Sequence, residues 1–335
     1  MDYTKFTREQ ILELYDKIDF KAAEELVMRI LYGIRGFEKD HEWAYKILQW
    51  MHKYSYINYK YLVGHYYITE KKVEKAIPWL IEYAEENYPD IYRSTYCLIA
   101  YQYEKLGQYD KAFEYYNKGA KVNDPAAYYQ LSFYYQDRHD YKKMIECLQK
   151  ASDMGDVYAI GQLGHYYLTA VGVPYDPQKA YEYFRYGAEK GDLYCKVYQA
   201  YCILYGYGTQ CNPKRGFKML HDIYYLESSQ LETGSATHAN LCLFLGQCYD
   251  AGYAVEKDYQ QAFYYYQSGA NDEDCENNYR VALCYYYGRG TNVDYQLAYI
   301  YAEKAVKAYN GVDFVNNKGD YEALYKLAKE KVLGS

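Results

Sequence analysis

The chain has 335 residues, 54 of them tyrosine, and a formal net charge of −7. That balance argues against binding nucleic acid through its phosphates, which needs an excess of Lys and Arg, and no stretch approaches the roughly 18 uninterrupted apolar residues of a membrane span. The opening MDYTKFTREQ lacks the basic-then-apolar layout of a secretory signal. A cytoplasmic protein is expected, with signal-less secretion left open. The nine cysteines form no C-x-x-C pair, which suits neither a closed disulfide framework nor an ordinary zinc site and reads as buried free thiols.

In chain order, the first predicted element is a helix within TKFTREQILELYDK (4–17), begun by a Thr7–Gln10 capping box. Residues 1–20 are read as an N-terminal capping helix. From 21 to 309 the sequence repeats itself. A small residue recurs in a first helix as Gly64, Ala100, Ser132, Gly164, Ala200, Gly246 and Ala282, with Met28 as a larger first member. Three positions later stands Leu31, Tyr67, Tyr103, Tyr135, Tyr167, Ile203, Tyr249 or Tyr285. A second helix opens on Ala44, Ala76, Ala112, Met144, Ala180, Gly216, Ala262 and Ala298, at spacings of 32, 36, 32, 36, 36, 46 and 36. Such a period marks stacked helix pairs, eight in all, rather than independent domains.

Copies one and five to eight have a connection four residues longer than copies two to four. In copy five it reads LTAVGVPYDPQKA, but a phosphate-binding loop would need a preceding strand, a glycine cluster and a Lys-Ser/Thr pair. A turn fits better. Gly36, Gly172, Gly208, Gly252, Gly288 and Gly290 suit backbone that a Cβ would penalise. Asp40, Asp176, Asn212, Asp258 and Asp294 fall where a short acceptor caps the second helix, and Pro177 and Pro213 fit its first position. The larger spacing between copies six and seven places an insertion near 225–237, read as an exposed extension. Residues 310–335, with an amphipathic stretch at 319–332, are read as a C-terminal capping helix.

The residues offer no catalytic constellation. HEWAYK (41–46) has Tyr45 where a zinc-protease helix needs its second histidine. His65 and His165 align between copies but lie a hundred residues apart, as isolated interface or surface histidines rather than a dyad. No catalytic residue, cofactor or metal ligand is expected.

One feature departs from a plain repeat. With the small position as zero, the core-facing offsets −5, −1, 0 and +3 leave the face near +1 opposite the core. That face should be polar. It reads Arg29, His65, Tyr101, Phe133, His165, Tyr201, Gln247 and Leu283, and Tyr134, Gln162, Tyr166, Tyr198 and Phe244 flank it. The rings either line a recognition surface or pack between adjacent copies.

The Leu-Gly-x-x-Tyr of 163–167, Gly172-Val173, Asp176 and the span from Ala180 to Ala188 resemble the Sel-one-like repeat, a relative of the tetratricopeptide repeat. The resemblance implies a right-handed all-α solenoid whose first helices line a concave groove. It also implies adaptor and assembly roles. Some secreted members of the class carry paired cysteines, for which Cys195/Cys202 and Cys275/Cys284 are the possible counterparts. The leading expectation is a non-enzymatic scaffold that takes a protein or peptide in a groove lined by His65, Tyr101, Phe133, Tyr134, Gln162, His165, Tyr166, Tyr198, Tyr201, Phe244 and Gln247. The alternative is a non-protein polymer, a glycan before a single-stranded nucleic acid, held by tyrosine stacking.

Overall fold

The computed structural model describes residues 3–17, 19–87, 94–226, 235–309 and 318–334. Among them every regular element is helical and no strand occurs. None of the described helices is long and apolar enough to cross a membrane. The chain divides into two compact units, residues 1–154 and 155–335.

Unit one begins with a 3-10 turn, Tyr3–Lys5, and α1 (Arg8–Asp16). The capping box at its start is complete: Gln10 N donates to Thr7 Oγ1 at 3.3 Å and Thr7 N donates to Gln10 Oε1 at 2.8 Å. Four hairpins follow: α2 (Phe20–Tyr32) with α3 (His41–Lys53), α4 (Tyr59–Thr69) with α5 (Val73–Glu86), α6 (Thr95–Lys105) with α7 (Tyr109–Lys121), and α8 (Pro125–Asp137) with α9 (Tyr141–Asp153). First helices also touch the next first helix, α2 on α4 and α6 on α8. Leu26, Ile30, Ile47 and Leu48 fill the core near α1, and Ala112, Tyr116 and Leu131 fill it near α8.

Unit two holds α10 (Val157–Thr169) with α11 (Pro177–Glu189), α12 (Leu193–Tyr205) with α13 (Pro213–Leu226), α14 (Ala236–Ala251) with α15 (Tyr259–Gly269), and α16 (Cys275–Tyr287) with α17 (Tyr295–Ala308). The final helix, α18 (Lys318–Leu333), lies against α17 and α16. Its core is continuous from Phe184 through Val197, Leu204 and Leu220 to Leu245, Tyr265 and Tyr266. Helix enters the expected extension from both sides, because α13 runs to Leu226 and Ser235 caps α14; residues 227–234 of it lie outside the described residues. The stretch 310–317 ahead of α18 does as well.

The longer connections are turns built for capping. Asp176 accepts from Lys179 N at 3.0 Å, Asp294 from Leu297 N at 2.9 Å and Asn212 from Arg215 N at 3.1 Å. All six glycines singled out from the sequence have positive φ. In unit two each of α10 to α17 receives a side-chain cap, the first helices from Asp156, Asp192, Ser235 and Asp274. In unit one α4 to α7 have none.

The small position is small because two helices cross there. A Cβ on Gly164 would stand 2.7 Å from the Phe184 ring, and one on Gly246 would stand 2.5 Å from Tyr266. The tyrosine three residues on was assigned to the core, yet Tyr67, Tyr103, Tyr135, Tyr167, Tyr249 and Tyr285 are all only half-buried. Four of them stack instead on a ring of their own second helix: Tyr103 on Tyr115, Tyr167 on Tyr183, Tyr249 on Tyr265 and Tyr285 on Tyr301, at 5.4 to 5.9 Å. Lys111, Lys143 and Lys179 roof Tyr103, Tyr135 and Tyr167. These rings lie at the turn end of the hairpin, where one face can pack and the hydroxyl can reach water.

Candidate functional site

The first helices carry the residues of interest, and their +2 positions decide how much of the +1 face stays open. Gln102, Tyr166, Cys202, Cys248 and Cys284 at +2 are buried, so the apolar surface of these helices extends round to the stripe. The +1 face therefore borders on packed surface. Each first helix packs on its own second helix, and α2, α4, α6, α8, α12, α14 and α16 also meet a neighbouring copy of their own unit.

In unit one the candidates remain separate from one another. Arg29, head of the stripe, is fully buried and its Nε donates to Glu25 at 2.7 Å. His65 is 7% exposed; its Nδ1 lies 2.7 Å from the Tyr32 hydroxyl, the edge of Tyr61 meets it at 4.5 Å, and Nε2 has no partner. Burial pushes its pKa down to about 4. Tyr134 donates its hydroxyl to Glu104 at 2.8 Å, beside a second donation to that carboxylate from Tyr116 at 3.2 Å. Phe133 is half-buried against the ring of Tyr129. Tyr101 differs from all of these. It is 50% exposed, with Lys105 Nζ 4.6 Å from its ring centre.

In unit two the structure brings five candidates into one ring array. His165 meets Tyr166 at 5.8 Å and Tyr198 at 6.0 Å, and its Nδ1 lies 3.1 Å from the Tyr194 hydroxyl. Tyr198 stacks on Phe184 at 5.1 Å and meets Phe244 edge-on at 5.7 Å. Tyr201 stacks on Phe244 at 4.3 Å. Tyr198 and Phe244 are 3% and 6% exposed, so the array packs α10, α12 and α14 together. Ring pairs of this kind contribute about 0.5–1.5 kcal/mol each beyond the area they bury. Gln162 and Gln247 are half-buried and lie outside the array.

The sequence reading passed over Tyr194, Tyr205 and Tyr207. Tyr205 stacks on Tyr253 at 5.5 Å and Tyr207 on Tyr201 at 5.5 Å. Tyr194, Tyr198, Tyr201 and Tyr205 stand at helical spacing on α12, a signal that was available. Glu104 was also passed over, and nothing in its sequence neighbourhood marks it.

Burial pushes the Cys202, Cys242, Cys248 and Cys284 thiols up to about 12. Cys195, Cys202 and Cys284 are free thiols, which removes the disulfide pairings the resemblance suggested. Among the described residues no group of three His, Cys, Asp or Glu side chains could hold a metal ion.

Helix pairs with this turn chemistry match a known repeat. The Sel1 repeat family model fits residues 100–124, 125–156, 157–192, 200–221, 239–274 and 278–310. The chain belongs to the Sel1 repeat family. Sel1 repeats typically act as protein-interaction scaffolds. Among solved structures this Sel1-repeat chain is similar to c5321, a protective antigen present in uropathogenic Escherichia coli strains displaying an SLR fold. The two are 15% identical with a TM-score of 0.50, covering 98% of this chain and 91% of that one. A Sel1 repeat protein from Oxalobacter formigenes is 23% identical with a TM-score of 0.57, covering 73% of this chain and 98% of that one. These likenesses establish a helical solenoid fold and no more. No curated protein matches the sequence.

Proposed function

We propose that this Sel1-repeat chain is a non-catalytic scaffold that holds a protein or peptide partner, and that the first-helix face around Tyr101 in unit one is a contact surface. The observation that carries this is the half-exposed Tyr101 ring, at a position whose counterparts His65 and His165 are engaged by neighbouring tyrosines. An aromatic ring with a polar tip and few rotamers gives contact area at small entropic cost. Phe133, one copy on, and Tyr134, anchored on Glu104, extend the surface along α8. Gln162, His165, Tyr201 and Gln247 offer partly exposed edges in unit two, with Tyr166, Tyr198 and Phe244 as their support.

Burial raises the Cys202, Cys242, Cys248 and Cys284 thiols and lowers His65 and His165, so none of these six groups is poised as a thiolate or a base near neutrality, which supports a scaffold. The stacking of glycan rings or bases needs free ring faces, and Tyr201 stacks on Phe244 while Tyr198 stacks on Phe184. A cytoplasmic setting belongs to the same reading.

The test compares Tyr101→Ala with Tyr201→Ala in quantitative partner capture and in urea melts. Tyr101→Ala should leave stability within about 0.5 kcal/mol while weakening capture. Tyr201→Ala, which empties a ring stack, should cost about 3 kcal/mol or more. Undiminished capture by a folded Tyr101→Ala protein would sink the assignment.

A further inference from the structure

At the turn edge of unit two, the connection 288–294 carries Arg289 between two glycines of positive φ, Gly288 and Gly290. Gly290 sits so close to the Tyr259 carbonyl oxygen that no Cβ could be placed there, which clamps the tip of this connection onto the start of α15. The clamp sets the Arg289 guanidinium 5.9 Å from the centre of the Tyr259 ring and 5.4 Å from that of Tyr287. From Tyr287 the rings continue to Tyr286 at 4.9 Å and Tyr295 at 5.4 Å, and Lys331 of α18 lies 5.7 Å from the Tyr295 ring. Lys257 lies 5.3 Å from the Tyr259 ring on the neighbouring connection.

Three features make this edge different from the rest of the surface. Tyr259, Tyr287, Val293 and Tyr295 are all exposed, so apolar area is gathered there rather than scattered. Lys257, Arg289 and Lys331 are exposed and pair with no carboxylate among the described residues. Of the acids at the adjoining turns, Asp258 and Asp294 are engaged as helix caps for Gln260, Gln261 and Leu297, which leaves Glu256, beside Lys257, as the exposed one. Unpaired cations thus stand on aromatic platforms in a protein whose net charge is −7.

We propose that this edge is a docking surface for an acidic peptide segment of a protein partner. A guanidinium held near ring faces without a carboxylate partner has N–H groups to offer as two parallel hydrogen bonds to one carboxylate. Its cation–π contacts with two rings restrict it beforehand, so that little motion is lost when the partner arrives. The exposed rings beside it accept aliphatic side chains from the same segment. Three cations around an aromatic cluster suit a short acidic stretch better than a nucleic-acid backbone, which asks for an extended basic track. This surface belongs to a different unit from Tyr101, so the two assignments fail independently.

The test titrates the full chain with a short fluorescein-labelled peptide of glutamates interrupted by leucines, read by fluorescence anisotropy at low salt. Saturable binding is expected, lost when glutamine replaces glutamate and weakened by added salt. Arg289→Ala and Arg289→Lys should each weaken it about tenfold, because an ammonium cannot make the paired contact. Lys331→Ala, on a separate helix, should weaken it less, and Tyr101→Ala not at all. Arg289 is exposed, so its variants should keep the parent circular dichroism spectrum and melt. Absence of saturable binding, or binding indifferent to Arg289, overturns the proposal. Equal displacement by inorganic phosphate would instead assign a bare anion site, and preference for an oligothymidylate a nucleic-acid site; either outcome overturns the peptide.

Discussion

His65 shows what one side chain in the stripe does for the fold. Its ring fills the space between Tyr32 and Tyr61, and only one of its two nitrogens has a partner. An unfolded histidine takes up a proton near its ordinary value of 6.5, whereas the buried ring holds off until about 4. The unfolded chain therefore binds the extra proton across that window. Stability attributable to His65 is full above about pH 6.5 and is lost as pH falls towards 4, amounting to about 3 kcal/mol in all. Urea melts at about pH 7 and about pH 5 should show a smaller loss for His65→Gln than for the parent chain. An identical loss in both would mean that the ring is hydrated in the folded state.

The helix hairpin explains why some glycines tolerate replacement and others do not. Gly107 and Gly208 both turn the chain with positive φ, +69° and +66°. A Cβ on Gly107 would meet nothing within 4 Å, whereas one on Gly208 would run into the carbonyl group of Pro177 in the copy before. Alanine at either site costs about 1–2 kcal/mol for its left-handed backbone. At Gly208 the collision with rigid backbone adds to that. Urea midpoints should thus fall further for Gly208→Ala than for Gly107→Ala, and equal shifts would show that the connection moves freely over α11. Gly290 approaches the Tyr259 carbonyl in the same way, so these two glycines fit one copy onto its neighbour as well as reversing the chain.

Within each unit, energetic coupling runs from copy to copy because each helix pair touches chiefly its neighbours. The three tryptophans, Trp43, Trp50 and Trp79, all lie in the first two copies. Tryptophan fluorescence therefore reports unit one, while circular dichroism reports helix throughout the chain. Gly208→Ala, a change in copy six, should move the dichroism transition to lower urea while leaving the fluorescence midpoint nearly in place. Coincident shifts in both signals would demonstrate all-or-none unfolding instead. The abundance of side-chain caps on α10 to α17 and their lack on α4 to α7 points the same way, towards local stabilities that differ along the chain.

The hairpins, their turns and their caps could be read from the sequence by itself because each depends on residues close together in the chain. Asp176, Pro177 and Gly172 act within one turn of helix. The caps of the first helices were equally local, and the recurring Gly-Asp at 155–156 and 191–192 could have revealed Asp156 and Asp192. The fate of the +1 stripe was not readable in this way. A helical period says which residues share a face, but whether another copy covers that face depends on how copies stack. Tyr101 and Tyr201 occupy the same offset, yet Tyr201 finds Phe244 from the next copy at 4.3 Å while Tyr101 keeps half its surface. That difference arises from contacts across 43 positions of sequence, between residues 201 and 244. Only tertiary packing decides it, because burial is a property of the neighbours a ring meets and not of the ring.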